Sequence, residues 1–160
     1  MAALAMTGEL IARAEAVARQ AHSGQVDKAG FDYIDHPRRV ATNARAAAVA
    51  EELDDDSATA VIAAAWLHDV VEDTSVTEDD LRRDFPAEVA DAVIAVTKRS
   101  GEDIEDYFAR VRANPLAQRV KIADLADNTD PARQARLDEA TRRRLTEKYR
   151  RAYELLGLKA

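Results

Sequence analysis

The chain has 160 residues, enough for one domain with a sizeable core and too few for two. A hydrophobic content of 47%, much of it Ala, with only 5 Gly and 4 Pro, favours an all-α fold, and the absence of Cys excludes a disulfide framework and a thiolate zinc site. The net charge of −7 argues against a general nucleic-acid binder, no uncharged apolar stretch approaches the roughly 18 residues of a membrane span, and residues 1–10 lack the basic segment of a secretion leader, so a cytoplasmic location is expected.

Helical signals begin at Leu4 and run to about Gln20, with Leu10, Ala14, Val17 and Ala21 at helical spacing and Gly24 just beyond the end. Residues 26–35 read as a loop. Pro37 suits the first turn of a second helix that reaches about Glu52, because its missing N–H is not needed there. Asp54 to Ser57 then supply a cap and negative charge for a central helix. A short helix follows Thr77, where Thr77 and Asp80 stand three apart like a variant capping box, and Pro86 starts another reaching about Thr97. Gly101 marks a break before a helix from Glu102 to Ala113, and Asn114-Pro115 precedes the helix that carries Asp124. Asp130-Pro131 separates a closing pair, Arg133 to Ala140 and Thr141 to Leu156. Eight or nine helices are expected to pack as one bundle-like body. The basic run of the last helix, Arg142 to Arg144 with Lys148, Arg150 and Arg151, reads as a solvated face with local ion pairs.

The central helix carries the chemistry. From Ala58 to Leu67 it reads ATAVIAAAWL with no charge, which predicts burial on all sides, and it runs at once into His68-Asp69-Val70-Val71-Glu72-Asp73-Thr74. Ionisable groups delivered into a dry interior cost on the order of several kcal/mol each unless paired or bound. A metal ion is the economical partner, since an adjacent imidazole and carboxylate offer mixed nitrogen and oxygen donors to one cation. Glu72 follows His68 by four residues and Asp73 follows Asp69 by four, which places each pair on neighbouring turns of one helical face. His36, just before Pro37, and Asp124, an acid on an otherwise apolar helix stretch, complete the order His, His-Asp, Asp along the chain.

Four stretches share a pattern in the same order: His22-Ser23-Gly24-Gln25, Gly30 to Pro37 with Tyr33-Ile34-Asp35-His36-Pro37, Leu67 to Thr74, and Val120 to Asn128. In this the chain resembles the HD superfamily of metal-dependent phosphohydrolases, and within it the hydrolase domain of RelA/SpoT-type alarmone enzymes and their small stand-alone relatives. The resemblance implies a single HD domain over residues 1–160, with one divalent ion, most simply Mn²⁺, on His36, His68, Asp69 and Asp124. It further implies that Glu72 and Asp73 position or polarise the attacking water, and that Lys28 and Asn128 contact a small nucleotide. The implied reaction removes the 3′-pyrophosphate of guanosine tetra- or pentaphosphate. Two alternatives stay open: a hydrolase of another nucleotide or phosphorylated metabolite, and a metal-bearing module that binds a nucleotide without turnover. His22 is expected to pack beside the site or orient the loop. Two positions depart from the family pattern. Asp27 stands where the relatives usually carry an Arg that clamps the nucleotide, and Leu125 stands where an Arg is common. An acid at position 27 is expected to repel phosphate and offers no guanidinium plane. Lys98 and Lys121 are available as phosphate contacts, but surface solvation or local ion pairing is the role expected of either alone.

Overall fold

The computed structural model describes residues 2–158, with side chains from Thr7 onward, and among these the fold is all-α. Eight helices of seven residues or more are α1 (Ala2–Ala21), α2 (Asp35–Ala50), α3 (Asp55–Leu67), α5 (Glu78–Asp84), α6 (Ala87–Val96), α7 (Ile104–Ala113), α8 (Pro115–Asn128) and α10 (Glu139–Leu155). Two single turns, α4 (Val70–Asp73) and α9 (Pro131–Gln134), lie between them. The loop after α1 is pinned by one isolated antiparallel bridge between Val26 and Asp32. Gly24, with φ of 81°, takes the left-handed conformation in the turn after α1, where the Gln25 N–H reaches back to the His22 carbonyl oxygen.

α3, uncharged from Ser57 onward, is the axis of the molecule, buried from Thr59 to Leu67 and packed against α1, α2, α6 and α8. Small side chains permit this: Ala60, Ala63, Ala64 and Ala65 let four neighbours approach a single helix closely. Its start is set by Asp54, whose carboxylate accepts the Ser57 N–H at 2.8 Å. The Thr77/Asp80 capping box forms on α5, and Asn114 caps α8 ahead of Pro115, both as the residue pattern predicts.

Two expected boundaries are corrected. The closing pair from Arg133 to Ala140 and from Thr141 onward is instead a single turn, α9, followed by one long helix. Asp138 accepts the Thr141 N–H at 2.8 Å and so begins α10 at Glu139, which absorbs the residues assigned to the end of the first helix. Nor does one helix run through His68 and Asp69. The backbone tightens there, with the His68 N–H reaching back to Ala65, and α4 begins afresh at Val70. That break turns two successive ionisable side chains toward the same interior point.

Candidate metal centre and adjoining clefts

His36 comes from the first turn of α2, His68 caps the C-terminal end of α3, Asp69 follows it, and Asp124 lies on α8. His36 Nε2 is 2.9 Å from Asp124 Oδ1 and 3.8 Å from Asp69 Oδ2, and His68 Nε2 is 3.4 and 3.0 Å from the same two oxygens. His36, His68 and Asp124 are buried and form a group able to hold a metal ion, with donor atoms within 4.8 Å of one another. Asp69 adds a second carboxylate at the rim.

The far side of each imidazole decides what the near side does. His36 Nδ1 lies 2.6 Å from Asp127 Oδ2, and His68 Nδ1 lies 2.7 Å from the Ala65 carbonyl oxygen. Both acceptors call for Nδ1–H, which leaves each Nε2 with a lone pair directed at the carboxylates. His68 Nε2 is buried without a hydrogen bond, an orphaned donor atom of the kind a cation satisfies. Two imidazole nitrogens with two carboxylates fit a borderline divalent ion.

Electrostatics tell the same story. Burial acts to raise the carboxyls of Asp69 and Asp124, but the net direction is down, through His68 beside Asp69 and through Lys121 and both imidazoles beside Asp124. Burial likewise acts to lower His36 and His68, yet the facing carboxylates raise both above the ordinary 6.5. The carboxylates thus demand positive charge, which protons on the imidazoles supply in the absence of a cation. Raised imidazoles stabilise the metal-free fold fully below about pH 6.5 and lose that contribution as pH rises through their elevated values. Metal must displace these protons, so added Mn²⁺ is expected to raise Tm more at pH 8 than at pH 6 by calorimetry. A larger shift at pH 6 would exclude protonatable ligands.

The centre opens into a cleft of about 250 Å³ whose walls include Glu72, Asp73, Lys98, Lys121, Asn128 and Lys148. Glu72 accepts the backbone N–H of Lys98, which fixes its carboxylate at the cleft wall. Burial pushes its carboxyl up, with Asp69 and Asp73 adding to the effect, and Asp73 is raised by burial and then by Asp69. Asn128 donates to Asp124 Oδ1 at 3.1 Å, so much of its amide is engaged with a carboxylate of the cluster. Lys121 is likewise bound to Asp124, at 3.0 Å, and is not simply solvated. Lys148 is exposed on α10, as the solvated-face reading has it, and also lines this cleft. Its ammonium is lowered by desolvation and then by the charges of Lys121, Lys28 and Lys98; Lys98, Lys121 and Lys148 share this cleft, while Lys28 lines the adjoining one. The rest of that basic run behaves as expected, for example Arg143 with Glu139 at 2.7 Å and Arg150 with Glu147 at 2.6 Å.

A second cleft of about 280 Å³ shares Tyr33, Asn128, Arg133 and Tyr149 with the first and extends past Lys28 to Arg136, Leu137 and Leu145. Asp27 lines it, but its carboxylate accepts the N–H groups of Ala29 and Phe31, each at 2.9 Å, and so closes its own loop. A guanidinium plane absent at position 27 is present elsewhere: Arg136 lies 4.6 Å over the Phe31 ring. Leu125 is buried in the core. His22 does not touch the centre; its Nδ1 pairs with Gln25 at 2.8 Å, its ring packs on Tyr33, and Gln25 in turn donates to the Asp73 carbonyl oxygen.

Residue-pattern reasoning missed Tyr33, Asp127 and Arg133. The Tyr33 hydroxyl donates to Asp69 Oδ2, and burial followed by Asp69 pushes its phenol up. Tyr33 did lie within the quoted Gly30 to Pro37 stretch, and Asp127 sits one turn after Asp124, whereas nothing in the sequence marks Arg133.

Among curated proteins, the chain is 36% identical over 122 residues to a guanosine-3′,5′-bis(diphosphate) 3′-pyrophosphohydrolase of Haemophilus influenzae, an alignment covering 71% of this chain and 17% of that protein. It is 35% identical over 128 residues to a probable GTP pyrophosphokinase of Mycobacterium leprae, covering 74% of this chain and 15% of that one. The chain thus spans about a sixth of the length of these relatives. A solved structure of a metazoan ortholog of SpoT that hydrolyses ppGpp has the same fold, with a TM-score of 0.67 over 92% of this chain and 85% of that one at 23% identity. The HD domain match takes in residues 14–159, reaching from within α1 past the end of α10, and the chain belongs to the HD domain family.

Proposed function

We propose that the chain is a single-domain, divalent-metal-dependent phosphohydrolase of the cytoplasm that removes the 3′-pyrophosphate from guanosine 3′,5′-bis(diphosphate). The observation that carries this reading is the convergence of two Nε2 atoms and two carboxylates at the head of a lysine-lined cleft that continues into a second, more apolar one. Full-length relatives named for that reaction support the choice of substrate.

On this reading His36, His68, Asp69 and Asp124 hold one ion, and Mn²⁺ suits the donor set. When bound, such an ion acidifies water and neutralises charge on phosphoryl oxygens. Glu72 and Asp73 orient the attacking water and take its proton as the water oxygen bonds to the phosphorus on the 3′ oxygen. The phosphorus–oxygen bond to the ribose then breaks, the 3′ hydroxyl regains a proton, and pyrophosphate leaves. Lys98, Lys121 and Lys148 balance the phosphate charge, and Lys28 and Asn128 contact the nucleotide where the two clefts meet. The second cleft takes the nucleoside, with Arg136 held flat by Phe31 to stack on the base.

Incubation of the Mn²⁺-loaded protein with guanosine tetraphosphate is expected to release pyrophosphate and guanosine diphosphate in equal amounts, resolved by ion-exchange chromatography. Inactivity on that substrate, with turnover of another compound in a nucleotide panel, would move the assignment to a different phosphorylated metabolite. Arg136→Ala is expected to raise KM about tenfold with kcat nearly unchanged, as for lost ground-state binding. An unaltered KM would mean that the base is read elsewhere.

A further inference from the structure

We infer that Asp127 is a positioning residue for the metal centre: clamped by Arg39 and Arg133, it fixes the tautomer and ring plane of His36 so that Nε2 faces the cation. The inference rests on the reading of His36 as a ligand. Asp124 and Asp127 lie one turn apart on α8 and engage the same imidazole at its two nitrogens, Nε2 with Asp124 Oδ1 at 2.9 Å and Nδ1 with Asp127 Oδ2 at 2.6 Å. Asp127 is only 4% exposed. A carboxylate can only accept at that distance, so Nδ1 carries the proton and Nε2 is left as the donor atom.

The surroundings keep Asp127 an anion in a place where a lone buried charge would be costly. Arg39 Nε meets its Oδ1 at 2.7 Å from α2, and Arg133 Nη1 meets its Oδ2 at 3.1 Å from α9. Arg133 Nη1 also lies 3.2 Å from His36 Nδ1, but two donors cannot serve one another; its protons go to Asp127 and to the Asn128 side-chain oxygen. The two histidines are thereby unequal. His68 is oriented by a neutral carbonyl, that of Ala65, while His36 is oriented by a full negative charge that makes its imidazole the stronger electron donor. Arg133 also borders both clefts, so the same clamp joins the ligand's orientation to the substrate wall.

The test measures Mn²⁺ affinity by chelator competition for the parent, Asp127→Ala, Asp127→Asn and His36→Gln. Asp127→Ala is expected to weaken binding by about 10- to 100-fold, the scale found for groups that orient a metal ligand. Asp127→Asn, which keeps an acceptor oxygen without the charge, should fall between it and the parent, and it decides the matter if the Ala variant fails to fold. In the Zn²⁺-loaded protein the strongly hydrogen-bonded Nδ1–H proton resonance of His36 should move upfield in Asp127→Asn, a signature that general destabilisation does not produce. Parental affinity in every soluble Asp127 variant, with binding lost in His36→Gln, overturns the positioning inference alone. Parental affinity in His36→Gln overturns the metal reading on which it rests.

Discussion

Asp69→Ala is expected to yield a folded protein that retains no divalent metal after dialysis and hydrolyses nothing above background. Among the described residues Asp69 is one of two carboxylates facing both imidazoles, 3.0 Å from His68 and 3.8 Å from His36, and its removal takes away a donor together with one of the negative charges that attract the cation. Its side chain is 17% exposed, so truncation at the rim leaves less buried polarity stranded than a change at Asp124. Asp124→Ala would leave Lys121, half-buried at the cleft wall, without its carboxylate partner, and the isosteric Asp124→Asn is therefore the better companion variant. Elemental analysis of both variants against the parent checks the expectation, and stoichiometric metal in Asp69→Ala would falsify the assignment of that carboxylate. Circular dichroism with the parental helix signal separates loss of ligand from loss of fold.

Glu72→Gln and Asp73→Asn are expected to keep the metal and lose turnover by about 10² or more, the scale of a missing proton-handling group. Neither carboxylate is among the close contacts of His36 and His68, and the Gln amide oxygen can still accept the Lys98 N–H that holds position 72. Both carboxyls are raised by burial and by neighbouring acids, which moves them toward the range in which a base is effective near neutrality. The sign of the pH dependence follows: only the deprotonated carboxylate can take a proton, so kcat climbs as pH rises through the raised value. That limb should begin above the ordinary carboxylate range and flatten in the variant that removes the responsible group. Parental rates in both variants, measured at saturating Mn²⁺, would reduce the pair to a helix end.

Which side chains carry chemistry was partly legible in the order of residues, because the uncharged stretch from Ala58 to Leu67 makes the His-Asp pair at its end costly to bury unless paired or bound. The resemblance across the four stretches brought in His36 before Pro37 and supported Asp124, and local capping chemistry at Thr77 and Asp80 placed a helix start. These are properties of short windows: period, propensity and the cost of burying charge. What faces what across the interior is a different quantity. Asp127 meets His36 across 91 residues of chain, Tyr33 meets Asp69 across 36, and Arg133 meets His36 across 97. Such meetings depend on the angles at which α2, α3 and α8 cross and on the break at His68, none of which a periodicity contains. Asp27 shows both at once, since its chemical type suggested a charge facing substrate and it does line the second cleft, while the loop's own N–H groups also engage its carboxylate. The sequence by itself therefore determined the all-α class and the buried helix, through free energies that belong to single segments, and its resemblance to the family pointed to His36, His68, Asp69 and Asp124, of which His36, His68 and Asp124 are grouped as a possible metal site. Only the tertiary structure decided the tautomers, the lysine-lined cleft and the arginine clamp on Asp127, because each exists only where separate segments pack together.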